Sequence, residues 1–512
     1  MQPGFQGILY KGGDESYYIT RIEQAMYHPF TDVSNGIVSG PAAPRGLQSP
    51  VLEMLMGSIF SWTGLTAPVL AFIISVVLAP LCIPLFAMLS LRVGAKETAA
   101  MTGAVLYFFL LIGPLRRIVH QSWSLPFVLF TCIMLVDCVR KPTLLRSMLL
   151  GACLGFASGV YLWAWTYLWA SFGCMVAFVC ITEWKAGSRE NAMRLFRHAT
   201  GVGVIALVVS SPILFIMWQN MHHPAIADAG IRSLLVHARE FESVPRSMLF
   251  LLFTGMTTWV ILRRSDRQNL IPLLALLIAM AAVLHQQFVH GIVLSYWTHY
   301  YQYVCMVALL VILTLLTLRD RSVLALSSMV VASIFLVAAF TDYYGRIAVL
   351  DPIPQWDMFQ HLSQPVRSLN RIEKQTVLSD TDSSFIVAMY TDHDVVFTPF
   401  MRHTLVSFTE LAERYCLTQL VRGSPPDTTW LGHNVEEQSR TGRVKAREIL
   451  ARDLVLTAEA CERVTNDPRS ILQKYGVTMV LWDEKNHPEW NISEKYFSES
   501  EKGLGWSLWT LR

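Results

Sequence analysis

Long apolar runs separated by short polar gaps fill residues 66–341, whereas residues 342–512 mix apolar and polar positions as a water-soluble domain does. A helix needs about 20 apolar residues to cross a bilayer. By that measure the pattern predicts about ten transmembrane helices. Their expected ranges are 67–90, 98–115, 123–138, 147–163, 166–182, 198–218, 247–262, 269–288, 302–318 and 322–341.

The gaps between these predicted spans differ in charge, and the difference indicates an orientation. Alternate gaps carry "RVGAK", "RKPTLLR", "EWKAGSRENAMRLFRH", "RRSDRQ" and "RDR". Cytoplasmic loops of membrane proteins are enriched in Lys and Arg, so we expect these gaps in the cytoplasm. The other gaps and both ends of the chain are then expected on the extracytoplasmic side.

The C-terminal region reads as a small α/β domain. Its predicted strands are "TVLSD", "FIVAMYT", "DVVFT", "VTMVLWD" and "WSLWTL", and its predicted helices are "RHTLVSFTELAERYCLTQLV" and "RVKAREILARDLVLTAEACERV". The expected fold class is a polytopic α-helical membrane domain followed by a C-terminal extracytoplasmic α/β domain. The expected divisions are a first extracytoplasmic loop with amphipathic helices at 1–65, a transmembrane domain at 66–341 and a soluble domain at 342–512.

Composition agrees with a membrane protein and argues against a nucleic-acid partner. Hydrophobic residues make up 53% of the chain and charged residues only 15%, against about 25% charged in an average soluble domain. A net charge of +3 without a Lys/Arg block does not suit nucleic acid. Of nine cysteines, only Cys416 and Cys461 lie in the C-terminal domain. An extracytoplasmic location would permit a disulfide between them, but spacing alone leaves the pairing open.

The opening stretch "GGDESYYITRIEQAMYHPF", residues 12–30, lies ahead of every apolar run. Its spacing predicts an amphipathic helix with Tyr18 and Ile22 on the apolar stripe and with Arg21 and Glu23 off that stripe. The stretch "PVLEMLMGSIFSW" is apolar at helical spacing but too short to span. We expect it to lie along the outer membrane surface.

The polar N-terminal residues lack the apolar core of 7–15 residues that a signal peptide needs. Polar segments do not cross a bilayer unaided, so we expect the natural gene product, or its relatives, to have one more helix before Met1. Translocation of the N-terminal tail by the first helix is the alternative.

The acidic pair Asp14 and Glu15 permits two interpretations at this point. Asp14 is placed to cap the helix that follows. It is equally placed to act as a general base or metal ligand at a helix start.

An acidic pair followed by "xxYxxxRIxxAM", ahead of a many-helix domain and a soluble domain, resembles the GT-C superfamily of integral-membrane glycosyltransferases. The opening is most similar to the protein mannosyltransferases and the aminoarabinose transferases of lipid A. The resemblance implies that Asp14 is the catalytic carboxylate and that Glu15 is its neighbour. It also implies that the chain begins just after the family's first helix. The oligosaccharyltransferase branch carries "WWD" where this chain has only "PQWDM".

The resemblance further implies a substrate class and a location. The donor would be a sugar on a polyprenyl phosphate, and the acceptor an unknown glycan, lipid or protein. Membrane lipids are the other partners. The expected location is the plasma membrane, in bacteria the inner membrane, with the reaction on its extracytoplasmic side.

Two outer gaps hold candidates for binding the donor's phosphate. Arg116 and Arg117 contradict the positive-inside trend, and a guanidinium matches phosphate oxygens. His120 follows them by one helical turn. The stretch "LHQQFVHGIVLSYWTHYYQYV" adds polar groups that are costly near hydrocarbon; its candidates are His285, Gln286, Gln287, His290 and His299. Nonspecific lipid contacts for the arginines and a solvated loop for the histidines are the alternatives.

The sequence leaves open both the metal ion, if any, and the functional class of the protein. The histidine spacing does not favour zinc, and a divalent cation such as Mg²⁺ or Mn²⁺ near Asp14 is left open because one carboxylate supplies too few ligands. A polyprenyl-lipid transporter or flippase is the second hypothesis, although the sequence has no internal repeat of the kind such proteins carry. A non-catalytic lipid-binding membrane protein is the third.

Overall fold

A computed structural model describes residues 7–8, 14–30, 50–115, 121–232, 236–237, 239, 241, 243–264, 267–293, 296–318, 322–350, 358–398, 400–401, 404–423 and 446–512. The chain divides into two compact units. The sheet-containing unit comprises Met1–Phe72, Ile216–Val236 and Pro352–Arg512, and the helical unit comprises Ile73–Phe215 and His237–Asp351.

The described α-helices are α1 (Asp14–Tyr27), α2 (Val51–Phe60), α3 (Ala67–Arg92), α4 (Glu97–Leu115), α5 (Gln121–Arg140), α6 (Leu144–Val160), α7 (Leu162–Lys185), α8 (Arg189–Met221), α9 (Ile226–Arg232), α10 (Val244–Leu262), α11 (Arg267–Leu284), α12 (Gln287–His290), α13 (Tyr296–Leu318), α14 (Val323–Leu350), α15 (Ser363–Leu369), α16 (Thr381–Tyr390), α17 (Phe408–Arg422), α18 (Ala446–Asn466) and α19 (Pro468–Lys474). The strands are β1 (Val236–His237), β2 (Ile292–Val293), β3 (Thr376–Leu378), β4 (Asp394–Val395), β5 (Met479–Trp482), β6 (Phe497–Gly503) and β7 (Trp506–Leu511). Short 3₁₀ turns follow α2 at Ser61–Thr63 and precede α15 at Gln360–Leu362.

Each of the ten predicted spans falls on an apolar helix, so the predicted polytopic helical membrane domain is confirmed. Within the described part of the chain, six helices are long and apolar enough to cross a membrane, namely Ala67–Arg92, Trp123–Arg140, Leu162–Lys185, Arg189–Met221, Val244–Leu262 and His299–Leu318. Shorter apolar helices occupy the other four places. The chain is an integral membrane protein.

Helices α6 and α8 pack closely because α6 presents glycine at every fourth position. A Cβ atom added at Gly151 would lie 2.8 Å from the Cβ of Ile205, and one added at Gly155 would lie 2.6 Å from the Cβ of Val209. Small residues at this spacing let helix backbones approach each other inside a membrane.

The C-terminal domain contains a five-stranded mixed sheet in the order β4-β3-β5-β7-β6. Strand β3 pairs parallel with both β4 and β5, and β7 runs antiparallel between β5 and β6. Helices α15 and α16 pack against these strands, and the predicted C-terminal α/β domain is thereby confirmed.

The strand predicted for "FIVAMYT" is wrong, because this stretch forms most of helix α16. The side chain of Asp380 accepts hydrogen bonds from the backbone N–H of Asp382 at 2.9 Å and of Ser383 at 3.0 Å, which starts the helix. Every residue of α16 from Ser383 to Tyr390 is buried. An apolar run buried all round shows no helical period, so β-branched composition misled the prediction. Strand β6, "FSESEKG", went unpredicted because it is mostly polar and exposed.

Cys416 and Cys461 form a disulfide, which settles the pairing that spacing left open. Their Cα atoms lie 5.0 Å apart, and the bond joins α17 to α18 across 45 residues. The two helices predicted for this region are both present.

Candidate functional site

The acidic pair occupies the first turn of α1, which begins at Asp14. Negative charge is favourable there, because the helix N-terminus carries unpaired N–H groups and the positive end of the helix dipole. The side chains of Asp14 and Glu15 lie outside the described residues, so their roles stay predictions.

Helix α1 is buried on more than its apolar stripe. Ile22 is fully buried as predicted, but Arg21 and Glu23, which fall off the stripe, are 0% and 4% exposed. Arg21 and Glu23 are buried because α1 packs against both α2 and α16. A helix covered on several sides must find partners for its charged groups within the protein.

Arg21 finds those partners on α2 and on its own helix. Its Nη1 atom lies 3.5 Å from Oε1 of Glu53, and both side chains are fully buried. The guanidinium also lies over the ring of Tyr17, 4.1 Å from its centroid, and donates to the Tyr17 hydroxyl. Tyr17 in turn stacks on Phe400 at 4.8 Å. This cluster fixes α1 to α2 two turns after the acidic pair.

Sequence reasoning missed the Arg21–Glu53 pair, although one signal was present. Glu53 is the single charged residue of the stretch "PVLEMLMGSIFSW". A lone carboxylate in an apolar helix indicates a buried partner or an exposed edge, and only the structure distinguishes the two.

Glu23 connects α1 to the first residue of the first membrane helix. Its Oε2 atom accepts a hydrogen bond of 2.6 Å from the backbone N–H of Ala67. Burial raises the pKa of the Glu23 carboxyl to about 8, and the charge of Asp392 adds to the rise, while the Ala67 hydrogen bond opposes it. The carboxyl group therefore keeps its proton at neutral pH.

In the helical unit, the predicted polar turn begins where α11 ends. His285 directly follows the helix, and its Nδ1 atom lies 2.7 Å from the carbonyl oxygen of Ala281. The short helix α12 follows and contains Gln287, which is buried, and His290. Gly291 closes it with a positive φ of 76°, a left-handed conformation that glycine adopts without strain.

Two of the predicted polar residues make contacts through α13: His299 on that helix meets the start of α7, and Gln286 in the turn meets Tyr300 on α13. Nδ1 of His299 lies 2.8 Å from the Tyr161 hydroxyl, and the imidazole stacks on Trp163 at 4.5 Å. Gln286 donates to the Tyr300 hydroxyl at 3.0 Å. The structure thus brings together the aromatic stretch "YLWAWTYLW" and the polar stretch, which lie over 100 residues apart in sequence.

A cation lies beside the same turn. Arg239 is exposed, and its Nε atom lies 3.7 Å from the position that a Cβ atom on Gly291 would take. His290 is exposed as well, and the loss of some of its water to neighbouring groups lowers the pKa of its imidazole, which favours the neutral form. An exposed guanidinium and neutral imidazole can both donate hydrogen bonds to an anion.

Three predicted donor-site residues, Arg116, Arg117 and His120, lie outside the described residues, as do Trp356 and Asp357 of "PQWDM". Across the described ranges, no group of three or more His, Cys, Asp or Glu residues is arranged to hold a metal ion. The side chains of Asp14 and Glu15 lie outside the described residues, so a divalent cation near them stays a prediction.

A second polar cluster lies where the parallel strands β3 and β5 end. The carboxyl of Asp483 is fully buried and lies 2.7 Å from Nε2 of His361, while Asp380 lies 3.8 Å from Nε2 of His487. Burial raises the pKa of Asp380, and its hydrogen bonds from Ser383 and the charge of His487 oppose that rise. The parallel pairing of β3 with β5 brings Asp380 and Asp483 to the same edge of the sheet, and no pattern along the chain shows that pairing.

No protein-family model and no curated protein matches this chain. Among solved structures it is similar to the oligosaccharyltransferase AglB from Archaeoglobus fulgidus, in complex with an inhibitory peptide and a dolichol-phosphate, at 12% identity and a TM-score of 0.43. The match covers 93% of this chain and 66% of AglB, so this chain spans about two thirds of that protein's length.

It is also similar to ArnT from Cupriavidus metallidurans bound to undecaprenyl phosphate, at 14% identity and a TM-score of 0.42, over 99% of this chain and 95% of ArnT. A further archaeal oligosaccharyltransferase structure, in complex with Zn and sulfate, matches at 14% identity and a TM-score of 0.44 over 98% of this chain and 69% of that one.

Proposed function

We propose that this chain is a GT-C-type glycosyltransferase that moves a sugar from a polyprenyl-phosphate-linked donor to a hydroxyl-bearing acceptor. The observation that carries the proposal is the first turn of α1. An acidic pair begins a helix whose next two turns are fixed by the fully buried pair of Arg21 and Glu53. A catalytic carboxylate needs such a rigid support to hold its geometry.

The reaction requires one proton acceptor and one stabiliser of negative charge. The acceptor oxygen forms a bond to the anomeric carbon as the bond from that carbon to the phosphate oxygen breaks. Asp14 takes the acceptor's proton as general base, a contribution of about 10²–10⁴-fold, and Glu15 is its neighbour. The lipid phosphate leaves with the bonding electron pair. A single displacement without a covalent nucleophile inverts the anomeric carbon.

The phosphate needs donors to its oxygens as charge develops on it. We assign this role to Arg239 and His290 beside the polar turn, together with Arg116, Arg117 and His120 from the other gap. His285, Gln286, Gln287 and His299 complete the donor site in this proposal. Of these, His299 and Gln286 support the turn through Tyr161 and Tyr300.

A divalent cation would be held by Asp14 and Glu15, where it would screen the donor's phosphate. The steps above use the protein's own groups and do not depend on it. The acceptor is a glycan, lipid or protein, and the proposed location is the extracytoplasmic face of a bacterial inner membrane. The C-terminal α/β domain lies on that same side in this proposal.

The test uses the full chain in lipid nanodiscs with a panel of polyprenyl-phosphate sugars and with water or added glycerol as the acceptor hydroxyl, and it measures release of the lipid phosphate. Wild type should release it from at least one donor. Asp14→Asn should lower the rate by roughly 10²-fold or more, while binding of the lipid donor persists. Glu462→Gln, at an exposed carboxylate of α18, is the matched control and should keep the wild-type rate. An unchanged rate in Asp14→Asn would remove Asp14 from the mechanism.

A further inference from the structure

The sheet-containing unit exposes an apolar edge where the chain enters α3. Trp62 is 81% exposed, Phe30 is 68% exposed, and Ile59 and Leu65 are 52% and 37% exposed. The backbone N–H of Phe30 donates to the hydroxyl of Ser58 at 2.7 Å, which holds the end of α1 against the end of α2. Phe30 is thereby held beside Ser58, and the exposed residues Ile59, Trp62 and Leu65 follow within seven positions of Ser58.

Phe30 is held on this surface in an unfavourable backbone conformation. Among the described residues it is the one residue other than glycine with a positive φ, at 60°. Bulky residues avoid this region, and they persist there only where the surrounding structure imposes it. In this conformation a large aromatic side chain is mostly exposed, and exposing that apolar surface to water is unfavourable.

Charge and length indicate what covers this edge. From Met54 to Leu91 the sequence contains no charged residue, so the uncharged run begins 13 residues ahead of α3. Helix α3 has 26 residues and at ~1.5 Å per residue is about 39 Å long, against about 30 Å for the hydrocarbon of a bilayer. An upright α3 is therefore about 9 Å longer than the hydrocarbon, and Trp62 precedes Ala67 by only five residues.

We propose that Phe30, Ile59, Trp62 and Leu65 form an anchor that inserts into the headgroup and upper acyl region of the bilayer. Tryptophan and other aromatic side chains favour this layer. The rim of a protein–protein interface is polar. The segment from Met54 to Leu91 has no charged residue that could pair with such a rim. Through the Glu23–Ala67 hydrogen bond, the anchor sets the level of α1 above the hydrocarbon.

The test places a photoreactive p-benzoyl-phenylalanine at Trp62 in the full chain, in nanodiscs of phosphatidylethanolamine and phosphatidylglycerol without polyprenyl lipid. The matched control carries the same group at Leu504, which is 91% exposed between β6 and β7. We expect roughly tenfold more phospholipid adduct from the Trp62 position than from Leu504. A second variant carries the group at Phe30 and should behave as Trp62 does.

Equal adduct from the Trp62 and Leu504 positions would overturn the anchor. So would adducts made only with a second copy of the chain, or only after undecaprenyl phosphate is added, because these identify a protein interface or a ligand site. The anchor does not depend on the proposed transfer reaction. A chain that transfers no sugar would still give the phospholipid adduct, so the two proposals fail separately.

Discussion

The guanidinium of Arg21 and the carboxylate of Glu53 lie 3.5 Å apart, both fully buried between α1 and α2. An ion pair removed from water is tolerated only while both partners remain, because either charge alone would be stranded in a low-dielectric site. The Tyr17 ring beneath the guanidinium adds a further favourable contact. This pair thus fixes the helix that begins with the acidic pair.

Removing one member of the pair should therefore destabilise the protein strongly. For Glu53→Ala we expect a loss of about 3–5 kcal/mol, measured as a lowered midpoint temperature in nanodiscs. The double variant Arg21→Met with Glu53→Leu leaves no unpaired charge and should lose less than the single variant. A single variant that is as stable as wild type would show that the pair does not stabilise α1.

Glu23 should make stability depend on pH. Its folded pKa of about 8 lies above the ordinary value of 4.5, so between these values the folded protein keeps a proton that the unfolded chain has lost. The free energy of unfolding should then fall as pH rises from about 4.5 to 8, by up to ~1.4 kcal/mol per pH unit. Above pH 8 the carboxyl is ionised in both states and the fall ends.

The measurement is thermal unfolding across pH 5–9. Glu23→Gln keeps an oxygen for the Ala67 N–H but cannot ionise, so it should unfold at a higher temperature than wild type at pH 8. At pH 5 the two proteins should be nearly equal. Parallel pH profiles for the two proteins would show that Glu23 titrates normally.

The disulfide between Cys416 and Cys461 should contribute to the stability of the C-terminal domain. A closed loop of 45 residues corresponds to about 4 kcal/mol in the chain-entropy account of cross-links. Cys416→Ser together with Cys461→Ser should lower the unfolding midpoint, and reductant should lower it for wild type but not for the double variant. If reductant changes both proteins equally, the effect comes from other thiols.

Arg239 should matter for donor binding more than for the chemical step. Arg239→Ala should raise the KM for a polyprenyl-phosphate donor by roughly tenfold or more, with weaker salt dependence, because a cation facing phosphate has been lost. Arg246→Ala, at an exposed arginine in the first turn of α10, is the control. Equal KM values for both variants would remove Arg239 from the donor site.

The segments that hold the candidate site residues could be recognised from sequence, while the roles of those residues stay predictions. Apolar run length identified the helices, since a membrane requires about 20 apolar residues for each crossing. The acidic pair was placed correctly at a helix start by the polar-to-apolar change that follows it. The costly polar residues at 285–299 were identified by their position beside hydrocarbon.

The contacts of these residues were decided by tertiary structure. Each of these contacts joins segments that are far apart in sequence. The examples are Arg21 with Glu53, Tyr161 with His299, and Cys416 with Cys461. The stretch "FIVAMYT" became a helix because the Asp380 cap and complete burial outweighed its β-branched composition. The local sequence pattern determined which segments leave water, because each side chain contributes its own transfer free energy wherever the chain folds. Tertiary packing determined which groups contact each other, because a buried charge or thiol can pair only with a group that the fold brings next to it.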